Sequence, residues 1–192
     1  MSKVITGKVR FSYANVWEPK AGQEGWEPRY SVSLIIPKSD TKTIKDIENA
    51  IKAAYEDGRD NFRKTGGKVP DISKLNIPLR DADLDEIKSQ DPVYKGSYYI
   101  TAHSKTQPGI VDAALNDITD KDEFYSGCYG KASIYFYPYP TGISCLLNNL
   151  QKLEDGERLG GRMPAKVDFK REDNVGDDFE VIDDGDDDFL LS

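Results

Sequence analysis

Between Cys128 and Tyr139 two kinds of side chain alternate without a break. Cys128, Gly130, Ala132, Ile134 and Phe136 fall on one face, and Tyr129, Lys131, Ser133, Tyr135, Tyr137 and Tyr139 on the other. A period of two sustained this long marks a strand with one side in a core, because a helix would scatter both sets around its circumference. Pro140-Thr141-Gly142 separates this run from a second strand, Ile143 to Leu150, so the pair is predicted to form a hairpin.

Three further segments carry strand character. In residues 3 to 13, Ile5, Val9 and Phe11 oppose Lys8, Arg10 and Ser12; before Pro37, Tyr30, Val32, Leu34 and Ile36 oppose Arg29, Ser31 and Ser33; the third is Ser97 to Lys105. One convincing helix is expected after a cap at Ser39 or Asp40, with Ile44, Ile47, Ile51, Ala54 and Tyr55 at helical spacing until Gly58. Asn15 to Pro28, Arg59 to Pro92 and Thr106 to Ser126 read as connections, rich in glycine, proline and polar residues. The sum is a mainly β fold, a five-stranded β-barrel with one principal helix, and the oligonucleotide/oligosaccharide-binding (OB) barrel is the commonest architecture of that description.

Charge divides the chain in two. Residues 172–192 hold ten of the 34 acidic side chains and no Lys or Arg, which leaves 26 basic against 24 acidic residues in positions 1–171, a net charge of about +2. Like charges so dense cannot offset the entropy of ordering, so 1–171 is expected to be one folded domain and 172–192 a disordered acidic tail. The tail ends in Phe189-Leu190-Leu191, an apolar tip that a merely solubilising segment has no use for. Those three residues are the expected contact for a partner protein. No apolar run approaches the length of a membrane span, and Met1-Ser2-Lys3-Val4 opens directly into patterned sequence, so a soluble, intracellular protein is expected.

The tyrosine-bearing face of the Cys128–Tyr139 run is aromatic, hydroxylated and basic at once, a surface suited to stacking bases while attracting phosphates. Eight of the eleven tyrosines lie between Tyr94 and Tyr139. Barrel closure is expected to gather Lys8, Arg10, Tyr99, Lys105, Tyr129, Lys131, Tyr135 and Tyr137 into one groove. Tyrosine also favours strands and protein interfaces, so an interaction module with a regulatory acidic tail is the alternative from another class.

Catalytic and metal-binding patterns are weak. His103 is the single histidine, and Cys128 and Cys145 sit in strand-like apolar runs, so no zinc spacing and no Ser/His/Asp set can be written. Asp81, Asp83 and Asp85 mimic the start of a calcium loop, but Glu86 and Pro92 stand where glycine and a bidentate glutamate are required. Asp71, Glu86 and Lys88 resemble the set of a metal-dependent nuclease, yet lie in a stretch without strand pattern. No enzymatic activity, cofactor or metal is expected.

The segments Ser31-Val32-Ser33-Leu34-Ile35-Ile36-Pro37-Lys38-Ser39-Asp40, Tyr94-Lys95-Gly96, Phe124-Tyr125-Ser126-Gly127-Cys128-Tyr129-Gly130, Leu147-Asn148-Asn149-Leu150-Gln151-Lys152 and Asp155-Gly156-Glu157-Arg158-Leu159-Gly160-Gly161-Arg162, with Asp168-Phe169 beyond, resemble a family of bacteriophage proteins. That family was long catalogued as a domain of unknown function and is now understood as phage single-stranded-DNA-binding proteins. Ala82 departs from it, standing where a glycine is expected after Arg80-Asp81. The resemblance implies an OB-fold that binds and protects single-stranded DNA, without sequence preference, during phage replication and recombination in the cytoplasm of the infected bacterial host. It also implies a tail that replication proteins contact; the residues add that this tail competes with DNA and offers its tip to a polymerase or helicase.

Overall fold

The computed structural model describes residues 2–160 and Phe169, so the expectations for the acidic tail and for Phe189, Leu190 and Leu191 lie outside the described residues. The strands are β1 (Ser2–Ile5), β2 (Val9–Lys20), β3 (Arg29–Pro37), β4 (Arg80–Asp81), β5 (Ser97–Ser104), β6 (Gly109–Val111), β7 (Tyr129–Tyr139) and β8 (Gly142–Glu154), with one helix, α1 (Thr41–Asp57), after β3. Five of them close a ring. β2 pairs with β3, β3 with β5, and β8 with β7 in antiparallel ladders. β7 pairs back onto β2 through Val9↔Gly130 and Arg10↔Tyr129, and β5 meets β8 in parallel at His103↔Leu146. This closed path with one parallel seam is the five-stranded OB-fold.

Alternation fills the inside. Phe11, Leu34, Ile36, Ile100, Ile134 and Phe136 are wholly buried, and the faces read from the β7 sequence hold, since Cys128, Gly130, Ala132, Ile134 and Phe136 point inward. Gly130 is required there by close approach: a Cβ would stand 1.9 Å from the Gln151 carbonyl oxygen. Helix α1 begins at Asp40, whose carboxylate accepts from the Thr43 amide at 3.1 Å, and packs Ile47, Ala50, Ile51 and Ala54 into the same core cluster against β1 and β7. Cys128 and Cys145 are buried free thiols, and burial pushes both pKa values up.

Several expectations are corrected. The run 3–13 is two strands along one edge of β7, interrupted by a bulge at which Ala132 is bonded by Thr6, through the Thr6 amide and hydroxyl. The stretch Asn15–Pro28 is not all loop. β2 continues to Lys20, with Val16 buried and the Trp17 indole donating to the Phe124 carbonyl at 2.9 Å. A register shift between Ser12 and Asn15, with Tyr13 at φ 47°, breaks the alternation that would have revealed it. Arg59–Pro92 supplies buried Phe62, Leu75 and Ala82 and the short β4, and Thr106–Ser126 supplies β6 with buried Ile110, Ile118 and Phe124. Isolated apolar residues in polar surroundings carry no period, which is why neither stretch looks structured in sequence. The last strand is also longer than Ile143–Leu150, reaching Glu154. Among the described residues no helix is long and apolar enough to cross a membrane.

Candidate nucleic-acid interface

Residues that alternate away from the core build a polar exterior over β3, β5, β8 and β7. Register sets Ser31 beside His103, Ser33 beside Thr101, His103 beside Leu146, and Leu146 beside Tyr135. Side chains join the strands. Asn15 reaches the Ser31 hydroxyl at 3.4 Å, Ser33 and Thr101 hydroxyls lie 3.0 Å apart, and His103 spans from Arg29 to Ser144. Ser144 faces Tyr137 on the next strand, so one row runs from Arg29 to the tyrosines of β7.

The histidine's state follows from its partners. An arginine has only donors, so its Nη1, 3.2 Å from His103 Nδ1, requires that nitrogen to be the unprotonated acceptor; Nε2–H is then left to donate to Ser144 Oγ at 2.8 Å. Burial and the nearby Arg29 charge both lower the His103 pKa, in keeping with a neutral ring. At the end of the row, the loop before β3 exposes Trp26, two-thirds open to solvent, and is tied to β5 by Lys105, which pairs with Glu27 at 2.7 Å. That ion pair holds the Glu27 carboxyl below its usual range.

The eight residues picked from sequence do not form one groove. Tyr135 and Tyr137 lie on the exterior row, with Lys131 exposed on the same face of β7, and Lys105 flanks its far end. Lys8, Arg10 and Tyr129 meet at a separate corner, both cations about 5.4 Å and 5.3 Å from the ring centroid. There Lys8 pairs with Glu154, while Arg10 is held by the carbonyls of Gly127 at 3.1 Å and Glu157 at 2.8 Å. Tyr99 faces outward from the barrel but is covered. It packs edge-on against Tyr94 in a cluster with Ile35 and Ala82, and its hydroxyl donates to Asp85 at 3.0 Å.

The cover is the segment 82–95, and it explains the carboxylates that mimic metal ligands. Lys38 binds Asp81 at 2.9 Å and Asp83 at 2.7 Å; Asp83 also accepts from the Gly96 amide at 2.9 Å. Asp85 accepts from the amides of Ile87 and Lys88, both at 2.9 Å, which holds its pKa down. These oxygens close a loop. Among the described residues no group of three or more His, Cys, Asp or Glu side chains is arranged to hold a metal ion. Within the cover, Lys88 lies over the rings of Tyr94, Tyr99 and the exposed Tyr13.

Sequence reading missed Trp26, Arg29, His103 and Ser144 as site residues. A signal existed for Trp26, because a tryptophan in a loop rich in glycine and proline has nothing to bury it. For Arg29, His103 and Ser144 the signal was their place on the polar side of each strand, but which strands adjoin is set by the parallel seam, and no local pattern encodes that.

Comparisons with known proteins give the chain's family. A family model described as the Enterobacter phage Enc34 ssDNA-binding protein matches residues 2–180. The p50 protein of Acyrthosiphon pisum secondary endosymbiont phage 1 is 32% identical in an alignment 180 positions long that covers 86% of this chain and 90% of p50. The solved single-stranded DNA-binding protein from bacteriophage Enc34, in complex with ssDNA, superposes with a TM-score of 0.67 at 26% identity, covering 82% of this chain and 89% of that one. The single-stranded DNA binding protein gp2.5 of bacteriophage T7 shares the fold, with a TM-score of 0.57 at 14% identity over 90% of this chain and 99% of its own. With nearly its whole length matched by the family model, this chain belongs to the Enc34 family of phage single-stranded-DNA-binding proteins.

Proposed function

We propose that the protein coats single-stranded DNA without reading its sequence, protecting exposed strands and keeping them unpaired during phage DNA replication and recombination in the host cytoplasm. What most supports this is the barrel exterior, where Trp26, Tyr135 and Tyr137 offer rings, Arg29, Lys105 and Lys131 offer charge, and Ser31 and Thr101 offer hydroxyls along one continuous surface. Rings stack on any base and cations neutralise any phosphate, which gives affinity without base-edge readout. The Enc34 relative, 26% identical, has been solved with ssDNA. Strands 2 and 3 of an OB barrel and its 1–2 and 4–5 loops are the usual oligonucleotide surface; they correspond here to β3, β5, the Trp26 loop and the β7–β8 turn.

The acidic residues 172–192 would compete with phosphates for the same cations, acting at high effective concentration because they are tethered. Bound DNA then releases them, and Phe189, Leu190 and Leu191 become available to an apolar pocket on a replication protein such as a polymerase or helicase.

Titration of fluorescent oligo-dT against duplex of the same length tests the reading. Single strands should bind far more tightly, and neutralisation of three to five phosphates should give log K against log salt a slope of roughly -2 to -3.5, at about 0.7 per phosphate. Equal affinity for duplex, or binding indifferent to salt, would overturn it.

A further inference from the structure

At the tip of the β7–β8 hairpin lies a cavity of about 480 Å³, lined by eight residues between Arg63 and Leu75 and by Pro140 and Thr141. Its walls are fixed to the hairpin: the Arg63 amide donates to the Pro140 carbonyl at 2.7 Å, and the Asn76 amide to the Thr141 carbonyl at 3.0 Å. Arg63, Lys68 and Lys74 stand around it against one carboxylate, Asp71. Asp71 is already engaged, accepting from the Ser73 amide at 2.9 Å and the Ser73 hydroxyl at 2.7 Å, whereas none of the three cations pairs with a carboxylate among the described residues. Elsewhere several exposed cations are paired, as Lys8 is with Glu154, Lys105 with Glu27 and Lys121 with Glu18. Three cations against one carboxylate leave an excess of positive charge around one concavity, which suits a polyanion.

The backbone beside them is bare. Thr65 and Lys68 close a two-residue turn by exchanging amide and carbonyl bonds of 3.1 and 3.2 Å, and Gly66 and Gly67 at its tip have φ of 61° and 78°. Those angles are the ones a tight hairpin turn of this kind demands and only glycine adopts freely. Nothing lies within 4 Å of where their Cβ atoms would be. A side-chain-free turn flanked by cations lets a phosphate backbone approach the peptide closely, the principle by which a glycine loop clamps nucleotides in other nucleic-acid modules.

We infer that this cavity holds the sugar-phosphate backbone of the strand where it leaves the barrel face, with Arg63, Lys68 and Lys74 as its phosphate contacts. The inference rests on the DNA-binding reading and extends its path. Continuity favours a nucleic acid over an acidic peptide: Ser144, within the row that runs from Arg29 to the tyrosines of β7, is two residues beyond Gly142 at the hairpin tip, so a strand lying along the row passes close to the cavity. The walls carry Val69, Pro70, Leu75 and Pro140 but no aromatic ring, so phosphates rather than stacked bases are what the site takes.

The test uses the full chain and its Lys68→Ala/Lys74→Ala variant, titrated with oligo-dT of about 4 and about 16 nucleotides, the extremes of OB-fold site sizes. The long strand should lose about ten-fold in affinity at low salt, its salt slope should become shallower by about 0.7 per lost contact, and the short one should change little. The Lys68→Arg/Lys74→Arg variant should restore the long-strand affinity and slope. Unchanged affinity and slope for the long strand would overturn the inference while leaving the DNA-binding reading intact. A variant that binds the long strand normally but loses an Asp-rich peptide would overturn it in favour of an acidic protein ligand. If the wild-type chain binds neither oligonucleotide, both readings fall.

Discussion

His103 Nε2 lies 2.8 Å from Ser144 Oγ, across the seam where β5 and β8 run parallel. That seam closes the barrel through a single paired position, His103↔Leu146, so the side-chain bond reinforces the closure at the place where the backbone ladder is thinnest. The same ring accepts from Arg29, so one residue joins barrel closure to the charge at the head of the proposed DNA path.

A pH dependence follows. Because the folded state lowers the His103 pKa, the unfolded chain takes up a proton first as pH falls through about 6.5, the ordinary histidine value. Stability from the neutral ring is therefore complete above that value and declines on acidification toward the lowered folded pKa. The carboxylates with lowered pKa values, such as Asp85 and Asp112, act in a more acidic window. Melting temperature against pH should show an acid-side decline near neutrality that the His103→Gln variant lacks. Coincident profiles for the two proteins would show that the ring is not held neutral.

On β7 the two faces should separate by assay. Phe136 is fully buried, and Phe136→Ala should cost about 3–5 kcal/mol of stability in denaturant titration. Tyr135→Ala or Tyr137→Ala should instead leave folding largely intact and cost about 1–3 kcal/mol of oligo-dT binding. Tyrosine variants that unfold, beside a stable Phe136 variant, would reverse the assignment.

Adjacent positions make a sharper contrast. A methyl group on Gly130 would meet the Gln151 carbonyl at 1.9 Å, and backbone cannot yield there without shifting the β7–β8 ladder. Gly130→Ala should cost about 1–3 kcal/mol of stability or more. Its exposed neighbour Lys131, changed to Ala, should alter stability by no more than about 0.5 kcal/mol while weakening DNA binding. Chemical denaturation of the two variants checks both.

Removal of residues 172–192 takes away ten carboxylates and should raise affinity for single strands, most at low salt, where screening is weakest. Phe189→Ala removes no charge and should leave DNA affinity unchanged while weakening recruitment of the replication partner. Fluorescence titration and pull-down on both variants measure the two effects; unchanged low-salt affinity after deletion ends the competition idea.

How much of this was legible beforehand depended on periodicity. The Cys128–Tyr139 run declared both its core and its exterior, and β3, β5 and α1 were equally plain, because regular elements carry their own period. Tyr13 and the bulge beside it hid the second half of β2. Tyr99 looked like a groove residue because its strand position is outward, but the segment 82–95, held by Lys38, covers it. Lys8 and Arg10 lie on a polar face, yet Lys8 pairs with Glu154 and the Arg10 guanidinium donates to two backbone carbonyls. Long-range partners of this kind leave no trace in a single sequence.

Single-stranded DNA is proposed to lie along the exterior of β3, β5, β8 and β7. Photo-cross-linking of iodo-deoxyuridine oligonucleotide to the full chain, with adducts mapped by mass spectrometry, tests it directly. Adducts are predicted at Trp26, Tyr135 and Tyr137 and not at the covered Tyr99; adducts confined to Tyr129 and Tyr125, at the corner away from the row, would contradict it.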